Sequence, residues 1–294
     1  MINVYCRSER NKRETNQDRY TSSRISNVNF SSEINILAVS DGMGGMRDGE
    51  RFAELALSVF QSYIAKVVAC AEQEWKNNNA QHNKDKTADE ILINRMESES
   101  ETLFSTLNRE VTTQAREMGL ERGGATLSAC IVIGHVLLCL NTGDSAIYVI
   151  HADGSAEELS VRDNAAEYML REGIIEDRSC EDYRKNENAL MMFLGKSQES
   201  QTQYHSGMHC RKYKLTSGDT VIIASDGAMG NVVSSDMLKN VISPKQSMSI
   251  MCRNLFKNAA QVTGDNQTAV FFRYFAKKQL LICFYRGKSK IMVL

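Results

Sequence analysis

Hydrophobic residues follow two rhythms along the 294-residue chain. From Arg51 to Glu74, Phe52, Ala56, Val59, Phe60, Tyr63, Ile64, Val67 and Val68 recur every three or four positions, the stripe of an amphipathic helix. Residues 76–85 are polar, Asn-rich and without period, and read as a surface loop. Thr87 and Glu90 then have the spacing of a capping box, which predicts a second helix to about Met118 with Leu92, Met96, Leu103, Leu107 and Val111 on one side. Further helices are expected over 164–172, ending at Gly173, and over 235–242 and 245–262.

The other rhythm is the short apolar run. Ile36 to Val39 is continuous, apolar and bounded by turn residues, so it predicts a buried strand. Strands are also expected over 125–133, 136–141, 146–151, 213–215, 219–224 and 268–274. Residues 123–143 carry no formal charge and imitate a membrane span, but Gly134-His135 divides them into two strand-length runs, which predicts a hairpin. Residues 2–20 give a short apolar start, and 21–32 are Ser/Asn-rich and read as a loop. The charge-rich stretch 177–188 reads as exposed and mobile, and 280–294 as a terminal hairpin about Gly287-Lys288.

Composition narrows the class. A hydrophobic fraction of 42% supports a large core, and a net charge of −1 gives no field that would draw nucleic acid or an anionic membrane. The eight cysteines form no CxxC pair and several sit in apolar runs, which fits reduced thiols and a cytoplasmic location. The first residues lack the apolar stretch of a secretory signal. The only proline is Pro244, so Pro-rich linkers are excluded, and no composition shift marks a domain boundary.

Chemistry concentrates where apolar runs end. The run from Ile36 ends in Ser40-Asp41, followed by Gly42, Gly44 and Gly45, and the run Val221–Ala224 ends in Ser225-Asp226-Gly227. Glycines there suit sharp bends or close approach to a ligand. Asp18 follows a polar cluster, Asp144 sits in a turn, and Asp265 opens the last long strand. Singly, each is an ordinary turn aspartate. Together they make an all-oxygen site suited to two hard divalent cations, with Asp41 the natural residue for both to share. Nucleotide-binding loops are disfavoured: Gly195-Lys-Ser197 and Gly287-Lys-Ser289 have Leu190 and Ile282 at the first glycine position of such a loop. His82, His135, His151, His205 and His209 contain no HExxH pattern and read as surface or turn residues.

The strings Arg13-x-x-Asn16-Gln17-Asp18, Ser40-Asp-Gly-Met-Gly-Gly45, Gly124-Ala-Thr126, Thr142-Gly-Asp-Ser145, Ser225-Asp-Gly227 and Asp265-Asn266 resemble, in order and rough spacing, those of the metal-dependent protein phosphatases, the PPM or type 2C family. Weaker elements are Leu159-Ser-Val-Arg-Asp163 and Leu194-Gly195, and the resemblance covers about residues 3 to 275. It implies an α/β (α+β) sandwich, two antiparallel sheets packed face to face between helices in four α-β-β-α layers, with the metal centre at one end. It also implies a phosphatase domain over 1–276, a flap at about 163–205 and a C-terminal hairpin extension over 277–294.

Carried over by residue, Asp41 would bridge two Mn²⁺ or Mg²⁺ ions, with the Gly42 carbonyl on one of them. Asp226 and Asp265 would hold the other. Asp18 would ligate or orient metal-bound water, Asp144 would help to hold a third, weaker ion, and Arg13 would grip the substrate phosphate. The implied reaction is hydrolysis of phosphoserine or phosphothreonine on proteins by metal-bridging hydroxide. The alternative is a catalytically weak pseudophosphatase that binds phosphoproteins. The partner would be a phosphorylated protein, the target of a serine/threonine kinase, with neither nucleic acid nor membrane involved. A monomer is expected, with a dimer through the C-terminal hairpin as the alternative. Departures from the family pattern are Gln17, Met43, Ala146 and Gly230.

Overall fold

Two antiparallel sheets face each other across an apolar seam in the computed structural model, which describes residues 1–43, 48–80, 86–120, 123–195, 207–276, 280–285 and 288–293, the last two segments as backbone. The first sheet has the order β1 (Ile2–Glu9), β11 (Gln267–Tyr274), β10 (Thr220–Ala224), β7 (Ala146–Ile150), β8 (Ala156–Glu158). The second has the order β2 (Asp18–Ile25), β3 (Ile34–Met43), β5 (Leu127–Ile133), β6 (Val136–Thr142), β9 (His209–Lys214), and the two-residue β4 (Gly124–Ala125) pairs with the end of β3. β12 (Leu280–Tyr285) and β13 (Lys288–Val293) form a two-stranded sheet of their own, as expected for a terminal hairpin.

The central strands are apolar on both faces because both faces are covered. In β3, Leu37 and Val39 enter the seam, where they meet Ile147, Val149, Val221, Ile223, Val270 and Phe272 of the other sheet. The alternate residues Ile34, Ile36 and Ala38 pack against α1 (Gly49–Ala80), α2 (Ala88–Ser98) and α3 (Ser100–Glu117). In β10, Ile222 and Ala224 face outward to α8 (Met248–Ala259), with α6 (Asp226–Met229) and α7 (Ser235–Val241) alongside. Four layers follow, as expected, with the strand ends of both sheets free to carry loops.

α1 passes length and composition tests for a membrane span, but 56% of its most apolar window is buried in the fold, as for a core helix. The uncharged stretch 123–143 is the β5–β6 hairpin, registered from Leu127 opposite Thr142 to Ile133 opposite Val136.

Several local expectations are corrected. Residues 18–25, read partly as loop, are an edge strand paired with β3 from Asp18↔Asp41 to Ile25↔Ile34. Its polar side chains hid it: Thr21 and Ser23 accept hydrogen bonds from Gln61 of α1 at 2.7 and 3.5 Å where apolar residues would be expected. α1 continues to Ala80, so 76–80 are helical, while 81–85 lie outside the described residues. The helix expected from 87 to 118 breaks at Glu99, whose carboxylate accepts a hydrogen bond from Tyr63 of α1 at 2.5 Å. The Thr87 capping box is present in full.

The stretch 177–188 is not uniformly exposed. It contains α5 (Glu181–Asn186), whose Tyr183 is buried with Ala166 and Ile175, beside α4 (Ala165–Arg171). Tyr183 donates to Glu167, which Arg178 also engages, so the first part of the expected flap is pinned. Residues 196–205 of that flap lie outside the described residues.

Candidate active site

Strand register places the first two carboxylates. Asp18 and Asp41 are directly opposed where β2 begins and β3 approaches its end. The backbone N–H of Asp41 donates to the Thr126 hydroxyl at 3.0 Å, and the Thr126 N–H donates to the Asp41 carbonyl at 2.9 Å. Ser40 donates to the Thr126 carbonyl at 2.7 Å, and the Thr126 hydroxyl lies 2.9 Å from that of Ser145. The ends of β3, β4 and the 142–145 turn are thereby fastened together, with Asp144 buried in that turn.

The second apolar run delivers its aspartate in the same way. β10 ends at Ala224, Ser225 stands at the N-cap position of α6 without a side-chain cap, and Asp226 is the first residue of that helix. The Ser225 hydroxyl donates to Asp18 Oδ2 at 2.7 Å and accepts from the Thr268 N–H at 3.1 Å, which ties the two sheets at this end.

Gly42 and Gly227, which follow Asp41 and Asp226, have a clear packing reason. A Cβ on Gly42 would lie 2.0 Å from the Gly49 carbonyl oxygen, and one on Gly227 would lie 2.0 Å from the Asn266 carbonyl oxygen. The close approach is by neighbouring backbone, where the sequence had left open a sharp bend or a nearby ligand. Gly44 and Gly45 lie outside the described residues.

Asp265 precedes β11. Arg13 grips it with a bidentate fork, Nε to Oδ1 at 2.9 Å and Nη2 to Oδ2 at 2.8 Å. The Arg13 loop is stapled to this strand end, because Asn266 donates to the carbonyls of Arg10 and Thr15, and Lys12 donates to that of Gly264.

Six of the seven site residues expected from sequence, Arg13, Asp41, Gly42, Asp144, Asp226 and Asp265, line one cavity of about 600 Å³. Asp18 is outside that lining and stands behind Asp41, 2% exposed. Of the departures noted in the sequence, Gln17, Met43 and Gly230 line the cavity, whereas Ala146 is buried in the apolar layer under α8.

Sequence reasoning passed over Arg162. It is buried, lines the same cavity, and is fixed by Glu158, by the Tyr148 hydroxyl and by the Val232 carbonyl. Its only signal was membership of a weak motif element. Asp163, next to it, accepts from the Gly143 N–H at 3.2 Å and from His209 Nε2, 2.8 Å away, and so holds the turn that carries Asp144. His209 lies on β9, in a stretch that had read as loop-like, and His151 pairs with buried Asp219; His82 and His205 lie outside the described residues.

The carboxylates strain against one another. Burial, together with the charge of Asp226, holds the Asp18 carboxyl up at about 6 despite the opposing hydrogen bond from Ser225. Burial, then the charges of Asp18 and Asp226, push Asp41 well above the usual carboxylate range. Burial and Asp226 raise Asp144, which Arg162 opposes, and burial raises Asp226 itself. Asp18 Oδ1 is buried without a hydrogen-bond partner among the described residues. A wall of oxygen donors that repel one another, with one buried oxygen orphaned, is the donor set that hard divalent cations satisfy. Among the described residues, no group of three or more acidic, histidine or cysteine side chains is already closed around one point, and Asp265 is turned to Arg13.

The family profile of protein phosphatase 2C matches residues 7–271, nine-tenths of the chain. The chain belongs to the protein phosphatase 2C family. As a PPM-type phosphatase it is similar to the serine/threonine phosphatase stp of Listeria innocua, 25% identical over 236 residues that cover 80% of this chain and 82% of that protein. Its fold is similar to that of the serine/threonine phosphatase Stp1 of Staphylococcus aureus, with a TM-score of 0.64 at 16% identity over 93% of this chain and 95% of that one. It is also similar to the PstP catalytic domain in complex with two manganese ions, with a TM-score of 0.59 at 20% identity over 92% and 97% of the two chains. The cavity lined by six of the expected site residues lies at the strand-end face of the sandwich.

Proposed function

We propose that this phosphatase hydrolyses phosphoserine and phosphothreonine on proteins at a centre of two Mn²⁺ or Mg²⁺ ions. The observation that carries the reading is the convergence of Asp41, Asp144, Asp226, Asp265 and Arg13 on one cavity, with a buried Asp18 carboxylate oxygen that has no partner among the described residues. Divalent cations bound there supply acidified water and neutralise charge on the phosphate oxygens.

The protein's own part is to hold and to orient. Asp41, Asp226 and Asp265 are the principal cation ligands, with the Gly42 carbonyl beside them and Asp144 for a further, weaker ion. Asp18, fixed by Ser225, orients from behind. Arg13, at the rim and 61% exposed, presents a guanidinium fork that suits two phosphate oxygens. Arg162 keeps positive potential in the cavity lining beside Asp144.

The test is hydrolysis of a phosphothreonine peptide with Mn²⁺, with Mg²⁺ and with EDTA, on the wild type and on Asp226→Ala. Turnover that needs the cation and is lost in the variant supports the reading. Cation and phosphopeptide binding by the wild type without turnover would instead identify a pseudophosphatase.

A further inference from the structure

The fork between Arg13 and Asp265 joins two residues with separate duties in the reading above. One is to grip the substrate phosphate and the other is to ligate a cation. Both Asp265 oxygens are engaged by Arg13, at 2.9 and 2.8 Å, and Asp265 Oδ1 also accepts the Asn266 N–H at 2.8 Å. A cation approaching Asp265 therefore meets a carboxylate already neutralised by a guanidinium, and a phosphate approaching Arg13 meets a fork already filled.

We propose that Arg13 and the divalent cation compete for Asp265, so that cation binding releases the Arg13 fork to the substrate phosphate. The inference rests on the phosphatase reading and adds an order of events: cation first, phosphate second. Arg13 is 61% exposed and Asp265 is 32% exposed, so their pair lies in high dielectric and is a weak rival to a dication. Exposed pairs of this kind correspond to roughly a twofold to fivefold effect on an equilibrium.

Release does not send Arg13 away. Its loop stays fastened to the same strand end by Asn266, through the carbonyls of Arg10 and Thr15, and by Lys12 on Gly264. The freed guanidinium is thereby kept at the cavity rim, and only the side chain exchanges partners. An equilibrium of this kind taxes each ligand by the fraction of molecules in the wrong pairing, and the first ligand removes the tax for the second.

The experiment is calorimetric titration of the full chain, after removal of cations by chelation, with Mn²⁺ alone. The proteins compared are the wild type, Arg13→Ala, Arg13→Lys, and the same Arg13 substitutions in an Asp265→Asn background. Lysine keeps the charge but has no planar fork. Both Arg13→Ala and Arg13→Lys are expected to bind Mn²⁺ twofold to fivefold more tightly than the wild type, and neither is expected to change affinity when Asp265 is Asn. Equal affinities in the wild type and both variants would overturn the proposal. So would Arg13→Lys behaving as the wild type, since the effect would then be charge alone. Turnover of a phosphothreonine peptide by wild type with Mn²⁺, measured on the same samples, keeps the two readings apart: turnover with unshifted titrations sinks the competition and leaves the phosphatase standing.

Discussion

Ser225 donates its hydroxyl to Asp18 Oδ2 at 2.7 Å, while Asp18 Oδ1 is buried with no partner among the described residues. One residue comes from the turn after β10 and the other from the start of β2, so this single bond joins the two sheets beneath the cavity. Ser225→Ala removes the donor to Asp18 and the acceptor of the Thr268 N–H together. The expected cost is about 1–3 kcal/mol, because buried polar groups are left unmade. Urea unfolding checks it: the midpoint should fall with no change in slope.

Stability should also depend on pH in an unusual direction once cations are chelated. The Asp18 carboxyl is held at about 6 in the fold against an ordinary 3.8, so between those values the folded chain keeps a proton that the unfolded chain has lost. Stability then falls as pH rises through that window, by about 3 kcal/mol at most. Asp41, Asp144 and Asp226 are raised as well and act in the same sense. Thermal melts in EDTA from pH 4 to 7 should show a declining midpoint, and Asp18→Asn should flatten the decline. A midpoint that climbs over this range would show that the carboxylates are not strained.

Cations should reverse that penalty. A ligand bound only by the folded chain stabilises by about 2.7 kcal/mol at a hundred times its dissociation constant. Mn²⁺ is therefore expected to raise the melting midpoint at pH 7 more than at pH 4, where protons already occupy the carboxylates. Differential scanning calorimetry at both pH values is the check, and Asp41→Asn should remove most of the gain.

The backbone supports the site as strictly as the side chains do. Gly42→Ala and Gly227→Ala each place a Cβ 2.0 Å from a carbonyl oxygen, of Gly49 and of Asn266 respectively. Neither neighbour is a flexible side-chain end, so the chain itself must shift. The expected result is a loss of about 1–3 kcal/mol or more, with weaker Mn²⁺ binding by whatever remains folded. Calorimetric titration of soluble variant protein measures both, and wild-type affinity in either variant would refute the tight-packing account.

These same features explain what the sequence could and could not disclose. β3 and β10 were legible because both faces are covered, which makes each a continuous apolar run with its aspartate at the end. β2 was hidden because an edge strand beneath a polar stretch of α1 is satisfied by hydroxyls, so period-two alternation carried no apolar signal. The break falls at Glu99, whose carboxylate meets Tyr63 36 positions away, a contact that no local pattern reports. The aspartates were found through motif order, but the grip of Arg13 on Asp265 spans 252 positions and is a property of the folded chain. Arg162 stayed unseen for the same reason, because its partners Glu158, Tyr148 and Val232 meet only when β7, β8 and the segment after α6 are assembled.

Thr126 offers the sharpest separation of scaffold from site. Its hydroxyl accepts the Asp41 N–H at 3.0 Å and meets the Ser145 hydroxyl at 2.9 Å, all without being a candidate ligand. Thr126→Val preserves shape and removes only that hydroxyl, which leaves a buried N–H and a buried hydroxyl unmatched at a cost of about 1–3 kcal/mol. The same loss loosens the strand end that aims Asp41, and at 1.4 kcal/mol per tenfold a tenfold or larger fall in kcat/KM is expected. Thr126→Ser restores the hydroxyl and deletes a methyl, so it should recover most of the activity while remaining less stable by about 1 kcal/mol. Peptide hydrolysis and urea unfolding on both variants decide the matter. If valine keeps wild-type activity while serine loses it, the methyl that packs against Gly143 is what positions the turn, and the hydroxyl is incidental.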